Sequence, residues 1–177
     1  MGQLDNKQIA IIVGQKNFNM EEFQYLYETL EKEGADISVA SNTLEKALGR
    51  LGGYVAPDCK INDLAPEEFD ALVLVGGYGA RVYLWDDVDT HEVLRKFARA
   101  GKLIAAITNA PVSLANAGVL EGRKATVYPD YDSTLIFDEK GVHHVHDHVA
   151  VDDNIITAEH SRFIKEFTSA IIDNVKD

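Results

Sequence analysis

The stretch "GKLIAAITNAPVSLANAGVLEGRKAT" (residues 101–126) decides the fold. It reads as a strand, "KLIAAI", running into a sharp turn and then a helix, "APVSLANAG", that ends at Gly118. Thr108 and Asn109 sit at the tip of that turn. A strand-to-helix turn that presents one side chain at the carboxyl end of a sheet is a common seat for a nucleophile. Threonine and asparagine make an odd nucleophilic pair, so the rest of the chain has to supply the context.

Working outward, "QIAIIV" (residues 8–13) and "ALVLVGG" (residues 71–77) are further apolar runs closed by glycine. Continuous runs of this kind fit strands buried on both faces of a parallel sheet. Between them Phe23, Leu26, Tyr27 and Leu30 recur at three- and four-residue spacing, Asn19 or Asn17 can cap, and Gly34 stops the segment, which makes an amphipathic helix. "DISVAS" follows as a strand, and "LGGYVAPDCKINDL" suggests a small hairpin or edge excursion. "DTHEVLRKFARAG" (residues 89–101) turns Val93, Leu94 and Phe97 inward, and "SRFIKEFTSAIIDNV" has Ser161 as a cap with Phe163, Ile164, Phe167 and Ile171 on one face. Strands alternating with helices predict parallel strands joined by crossover helices, hence a three-layer α/β/α sandwich with a mostly parallel central sheet. Ligands in such sheets sit beyond the carboxyl ends of the strands, where Gly76 and Gly77 fall together with Thr108 and Asn109.

The 177 residues, 46% hydrophobic, suffice for one substantial core, and neither repeats nor a linker divides them, so residues 1–177 are read as a single domain. A net charge of -12, from 17 basic and 29 acidic residues, argues against nucleic acid and anionic membrane as partners, because both are gripped by clustered Lys and Arg. Cys59 is the only cysteine, which excludes an intramolecular disulfide and a thiolate metal cluster. "MGQLDNKQIAIIVG" shows no basic segment followed by a long apolar region, and no apolar run approaches the roughly 20 residues needed to span a bilayer. The expectation is a cytoplasmic protein without a cofactor.

The order of motifs resembles the ThiJ/PfpI superfamily, whose fold is like that of class I glutamine amidotransferases and flavodoxin-like sandwiches. The resemblance runs through "NFNMEEFQYLYETLEKEGADISVAS", "LGGYVAPD", "FDALVLVGG", "AAITNAPVSLANAGVLEGRKAT" and "VAVDDNIITA", nearly the whole length. The elbow followed by "AGVLEGRKAT" is its most diagnostic piece. In the family the elbow usually reads cysteine then histidine, and a glutamate early in the first helix hydrogen-bonds the cysteine. The resemblance puts Thr108 at the cysteine position, Asn109 at the histidine position and Asn19 at the glutamate position. A threonine hydroxyl is essentially never ionised near neutrality and needs a general base, unlike a thiol. Cys59 lies between the second and third strands and reads as a small hydrophobe rather than a displaced nucleophile.

Each candidate residue carries two readings. Thr108 is either a nucleophile, with Asn109 as amide donor and the backbone amides near Gly76, Gly77 and Asn109 as an oxyanion cradle, or a cap for the helix that follows. The want of an identifiable base favours the cap. Glu22, one turn after Asn19 on the same helix face, is the nearest acidic candidate for a base. His160, in "TAEHS", lies where the family's last loop approaches the elbow and is the other candidate base, against a packing or capping role. Tyr78, Arg81 and Trp85 follow the glycine pair, where the family places pocket or dimer contacts. Arg81 either grips a carboxylate ligand or pairs with Asp86, Asp87 or Asp89. "VHHVHDHVAV" read as one strand puts His144, His146 and His148 on one face, either a Zn²⁺ or Ni²⁺ site or a solvated polar face. Residues two apart on a strand lie about 6 to 7 Å apart, which favours the solvated face.

Two functions follow. With Asn19, Thr108 and Asn109 all departing from the family's pattern, the first expectation is a degenerate site in a binding, regulatory or scaffold protein. The alternative is a hydrolase of the peptidase, deglycase or glyoxalase type, using Thr108 or a water it positions, helped by His160 or Glu22. The resemblance further implies a homodimer or higher assembly, with a small-molecule ligand at the elbow.

Overall fold

The computed structural model describes residues 2–175. In chain order its strands are β1 (Gln8–Ile12), β2 (Lys16–Phe18), β3 (Asp36–Ser41), β4 (Ala47–Gly49), β5 (Tyr54–Val55), β6 (Cys59–Lys60), β7 (Ala71–Leu74), β8 (Leu103–Ile107), β9 (Lys124–Ala125), β10 (His143–His144), β11 (Val149–Asp152) and β12 (Ile155–Ala158). The helices are α1 (Met20–Lys32), α2 (Tyr78–Tyr83), α3 (Val88–Arg99), α4 (Pro111–Asn116), α5 (Tyr131–Glu139) and α6 (Ile164–Val175).

Seven strands form the central sheet in the order β11-β12-β8-β7-β1-β3-β6. All its neighbours are parallel except β11, which hairpins back along β12. The period-two alternation of side chains splits the interior into two cores. On one face Ala10, Ile12, Leu72, Leu74, Ile104 and Ala106 pack against Leu94 and Phe97 of α3, Leu114 of α4 and Phe137 of α5. On the other Ile9, Ile11, Val73, Ala105 and Ile107 meet Phe23, Leu26 and Leu30 of α1 and Phe167 and Ile171 of α6. The domain is therefore the expected α/β/α sandwich, and among the described residues no helix is long and apolar enough to cross a membrane.

The segment after β3 takes both expected forms. β4 and β5 make a small hairpin that pairs with β2, while β6 returns to the edge of the main sheet beside β3. Three readings change. Ser161 does not cap the last helix: His160 caps a 3-10 turn at Ser161–Phe163 by accepting the Arg162 N–H, and α6 starts at Ile164. The histidine segment is not one strand, since only His143–His144 pairs, with β9, before the chain rejoins a ladder at β11. Helices α2 and α5 were not foreseen; only Gly79 and Ala80 of α2, and Ser133 and Phe137 of α5, are buried.

The chain order places β1 between β3 and β7, so successive crossovers depart to opposite sides of β1. A crevice opens beyond the strand ends at such a switch point. The ends of β7 and β8 and the start of α1 meet there.

Candidate functional site

The elbow begins at Thr108, whose φ of 64° lies in the left-handed region. A β-branched residue is a genuine outlier there, because its Cβ crowds the following carbonyl. Two backbone bonds hold it: Thr108 N–H donates to Ala158 O on β12, and Thr108 O accepts from Tyr128 N, each at 2.8 Å. So fixed, the hydroxyl donates to Glu22 Oε1 across the top of the sheet. The second carboxylate oxygen, Oε2, accepts from Gly76 N at 2.8 Å. Glu22 is 1% exposed, and burial pushes its carboxyl up to about 7, against the opposing pull of the bonds from Thr108 and Gly76. Near neutrality the site therefore holds a carboxyl that both gives and takes a proton, in contact with a hydroxyl.

This geometry corrects one reading. The hydrogen bond to Thr108 expected of Asn19 is made by Glu22. Asn19 is the N-cap of α1, its Oδ1 accepting from Glu22 N at 3.1 Å. Asn19-x-x-Glu22 has the spacing of a capping box, in which the Glu would reach back to the cap's own N–H. Here that N–H donates to Gly76 O at 2.9 Å instead, which frees the Glu22 carboxyl to turn onto Gly76 N and Thr108. A carboxyl thus stands against the elbow.

Gly76 makes the close approach possible. A Cβ there would lie 2.6 Å from Ile107 O and 2.8 Å from Thr108 Cβ. Asn109 then clamps the next residue twice: its Oδ1 accepts from Gly77 N at 3.0 Å and its Nδ2 donates to Gly77 O at 2.9 Å. The expected oxyanion cradle is changed by this, because the N–H groups of Gly76 and Gly77 are both taken by side chains. Among the described residues the Asn109 N–H has no protein acceptor. Sequence reasoning gave Trp85 no role beyond its neighbourhood; its Nε1 donates to Asn109 O at 2.8 Å, bracing the elbow from α2's far end.

The remaining candidates separate. Arg81 pairs with Asp132 of α5, not with Asp86, Asp87 or Asp89, and lies 4.7 Å over the Trp85 ring. Tyr78 is 60% exposed. His160 uses Nδ1 to accept the Arg162 N–H and rests its ring beside Tyr128, with no hydrogen bond to Thr108 among the described residues. It does line the cleft that also reaches Glu22, together with Tyr25, Ser161 and Arg162.

The structure does not gather the three histidines around one point. The His144 and His146 rings lie 5.2 Å apart, whereas His148 stacks on Phe163 and bonds Glu159 Oε1 at 2.6 Å. Among the described residues no group of three His, Cys, Asp or Glu side chains is placed to hold a metal ion. The broken strand is the cause, since alternation on one face requires a continuous ladder. Cys59 sits on β6, separated from β8 by β3, β1 and β7, about 19 Å at ordinary strand spacing. Burial, then the carboxylates of Asp63, Asp58 and Glu68, push its thiol up, away from the thiolate form.

A mostly parallel sandwich whose site is built on a strand-to-helix elbow at the sheet's switch point defines the class of protein. Within it, the chain belongs to the DJ-1/PfpI family, whose model matches residues 7–174. It is 32% identical over 164 residues to an uncharacterised protein of Methanocaldococcus jannaschii, covering 93% of this chain and 80% of that one. It is 34% identical over 151 residues to the deglycase PfpI of Pyrococcus furiosus, covering 85% and 89% respectively. In three dimensions it is similar to a ThiJ/PfpI domain protein from Brachyspira murdochii, with a TM-score of 0.90, 29% identity and 97% of each chain covered.

Proposed function

We propose that this chain is a member of its family without a thiol at the elbow that binds a small polar ligand there, in a binding, regulatory or scaffold role, as a single domain in a homodimer. The observation that carries the reading is the occupant of the elbow. Thr108 stands where a nucleophile would be presented, and its hydroxyl remains protonated near neutrality, so the thiolate chemistry of a cysteine elbow has no counterpart. Oxyanion stabilisation is also thin: two of three nearby backbone donors are already bonded by side chains, leaving the Asn109 N–H. Yet the site has not relaxed. A left-handed threonine costs on the order of 1–3 kcal/mol, and a buried carboxyl adds its desolvation, which fits a pocket kept for holding something.

A second reading is favoured by one specific observation, the Glu22–Thr108 contact. A general base works best with a pKa near the operating pH, and Glu22, at about 7, meets that condition without His160. On this reading Glu22 draws the proton from Thr108, or from a water beside it, as the hydroxyl attacks an acyl or carbonyl carbon. Assays of methylglyoxal consumption and of fluorogenic peptide cleavage separate the two. The preferred reading expects wild type and Thr108→Ala to be equally inactive; turnover that vanishes in both Thr108→Ala and Glu22→Gln establishes the enzyme.

A further inference from the structure

We propose that Arg162 makes the cleft beside Glu22 a site for small carboxylic acids that carry a second polar group; this rests on the elbow being a ligand site. The cleft is lined by Glu21, Glu22, Tyr25, His160, Ser161 and Arg162, so a buried carboxyl and a guanidinium share one concave surface. Arg81 and Arg123 are each tied to an aspartate. Arg162 has no acidic or carbonyl partner among the described residues, and its guanidinium lies 5.6 Å from the centre of the Phe163 ring. Its backbone, by contrast, is held by the cap from His160 Nδ1 at 3.1 Å, which fixes where the side chain departs. Arg162 also lines the adjoining cleft with Tyr128, Pro129 and Glu159, so it stands at the rim common to both.

A free guanidinium fork is matched to a carboxylate, which it binds through two parallel N–H bonds. At the Glu22 end, the carboxyl takes a hydroxyl or carbonyl group by hydrogen bond. Tyr25 and Ile164 supply apolar wall between the two ends. The overall charge of -12 disfavours anions over the surface as a whole, so a preference for acids has to come from a local cation.

The test compares pyruvate and 3-hydroxybutyrate with their primary amides, which keep the shape and lose the charge, by NMR titration of the full chain. Wild type is expected to bind the acids at least tenfold more tightly than the amides. Arg162→Gln should bring the two within twofold without changing amide affinity, and Arg162→Lys should recover part of the preference, since charge survives and the fork does not. Arg50→Gln, in the separate cleft with Met20 and Leu51, should leave the preference intact, which rules out a diffuse charge effect. Equal binding of acids and amides, or a preference that survives Arg162→Gln, overturns the inference while the elbow still binds. Absence of binding by either kind of probe, with no shift at Thr108 or Asn109, counts against both the inference and the elbow reading.

Discussion

Glu22 holds a conflict that the fold keeps rather than relieves. Its carboxyl is buried, its two oxygens are bonded, and its pKa rises from 4.5 to about 7 because desolvation outweighs the bonds from Thr108 and Gly76. The folded chain therefore retains a proton that the unfolded chain releases between those values. Glu22's contribution to stability is complete below about pH 4.5 and is lost as pH rises through about 7. Glu22→Gln keeps the shape and cannot ionise, so it should gain on wild type by about 2–3 kcal/mol between pH 4.5 and pH 8, read from denaturant midpoints at the two pH values. A constant difference across that range would show that Glu22 ionises freely in the fold. At this scale the sequence was only partly legible. Thr108 and Asn109 could be read from the strand-turn-helix pattern, but the choice between Asn19 and Glu22 depends on which N–H Gly76 O captures, and no spacing rule carries that.

At the scale of elements, the apolar runs that became β1, β7 and β8 were legible because strands buried on both faces leave no polar alternation. Helix α5 was not, because "YDSTLIFDE" buries only Ser133 and Phe137 and so shows no broad apolar face. The histidine segment misled for a different reason: an alternating pattern predicts a shared face only where a ladder continues, and His148 is drawn off by Phe163 and Glu159. The junction of β7 with β8 supplies the sharpest mutational prediction. Gly76→Ala would press a methyl group onto Ile107 O and Thr108 Cβ, with rigid backbone on one side. It should destabilise the fold by about 1–3 kcal/mol and abolish ligand binding at the elbow, measured by denaturation and by the NMR titration above. An unperturbed Thr108 signal in that variant would contradict the close approach.

For the whole molecule, the sheet order does the positioning. Because β1 lies at the switch point, the start of α1 reaches over the ends of β7 and β8, and one carboxyl can touch residues from both. The same order leaves Cys59 on an edge strand, out of reach of the elbow, which is why the sequence position of the only cysteine was decisive as soon as strand order could be guessed. The proposed homodimer belongs to this scale. Tyr78 and Val82 on α2 and Tyr131 and Leu135 on α5 are all exposed, at 60%, 54%, 79% and 40%, on helices joined by the Arg81–Asp132 pair. Sedimentation should give a species of twice the chain mass that Tyr131→Glu weakens at least tenfold. A wild type that stays monomeric at high micromolar concentration would exclude it.

The central claim is that a buried, proton-sharing Glu22 faces Thr108 at the elbow, and a ¹³C NMR titration of the Glu22 carboxyl tests it most directly. The account predicts an apparent pKa of about 7 in wild type and a further rise in Thr108→Val, because the lost hydrogen bond had been favouring the charged form. A Glu22 that titrates in the ordinary carboxylate range and ignores the Thr108 substitution would contradict it.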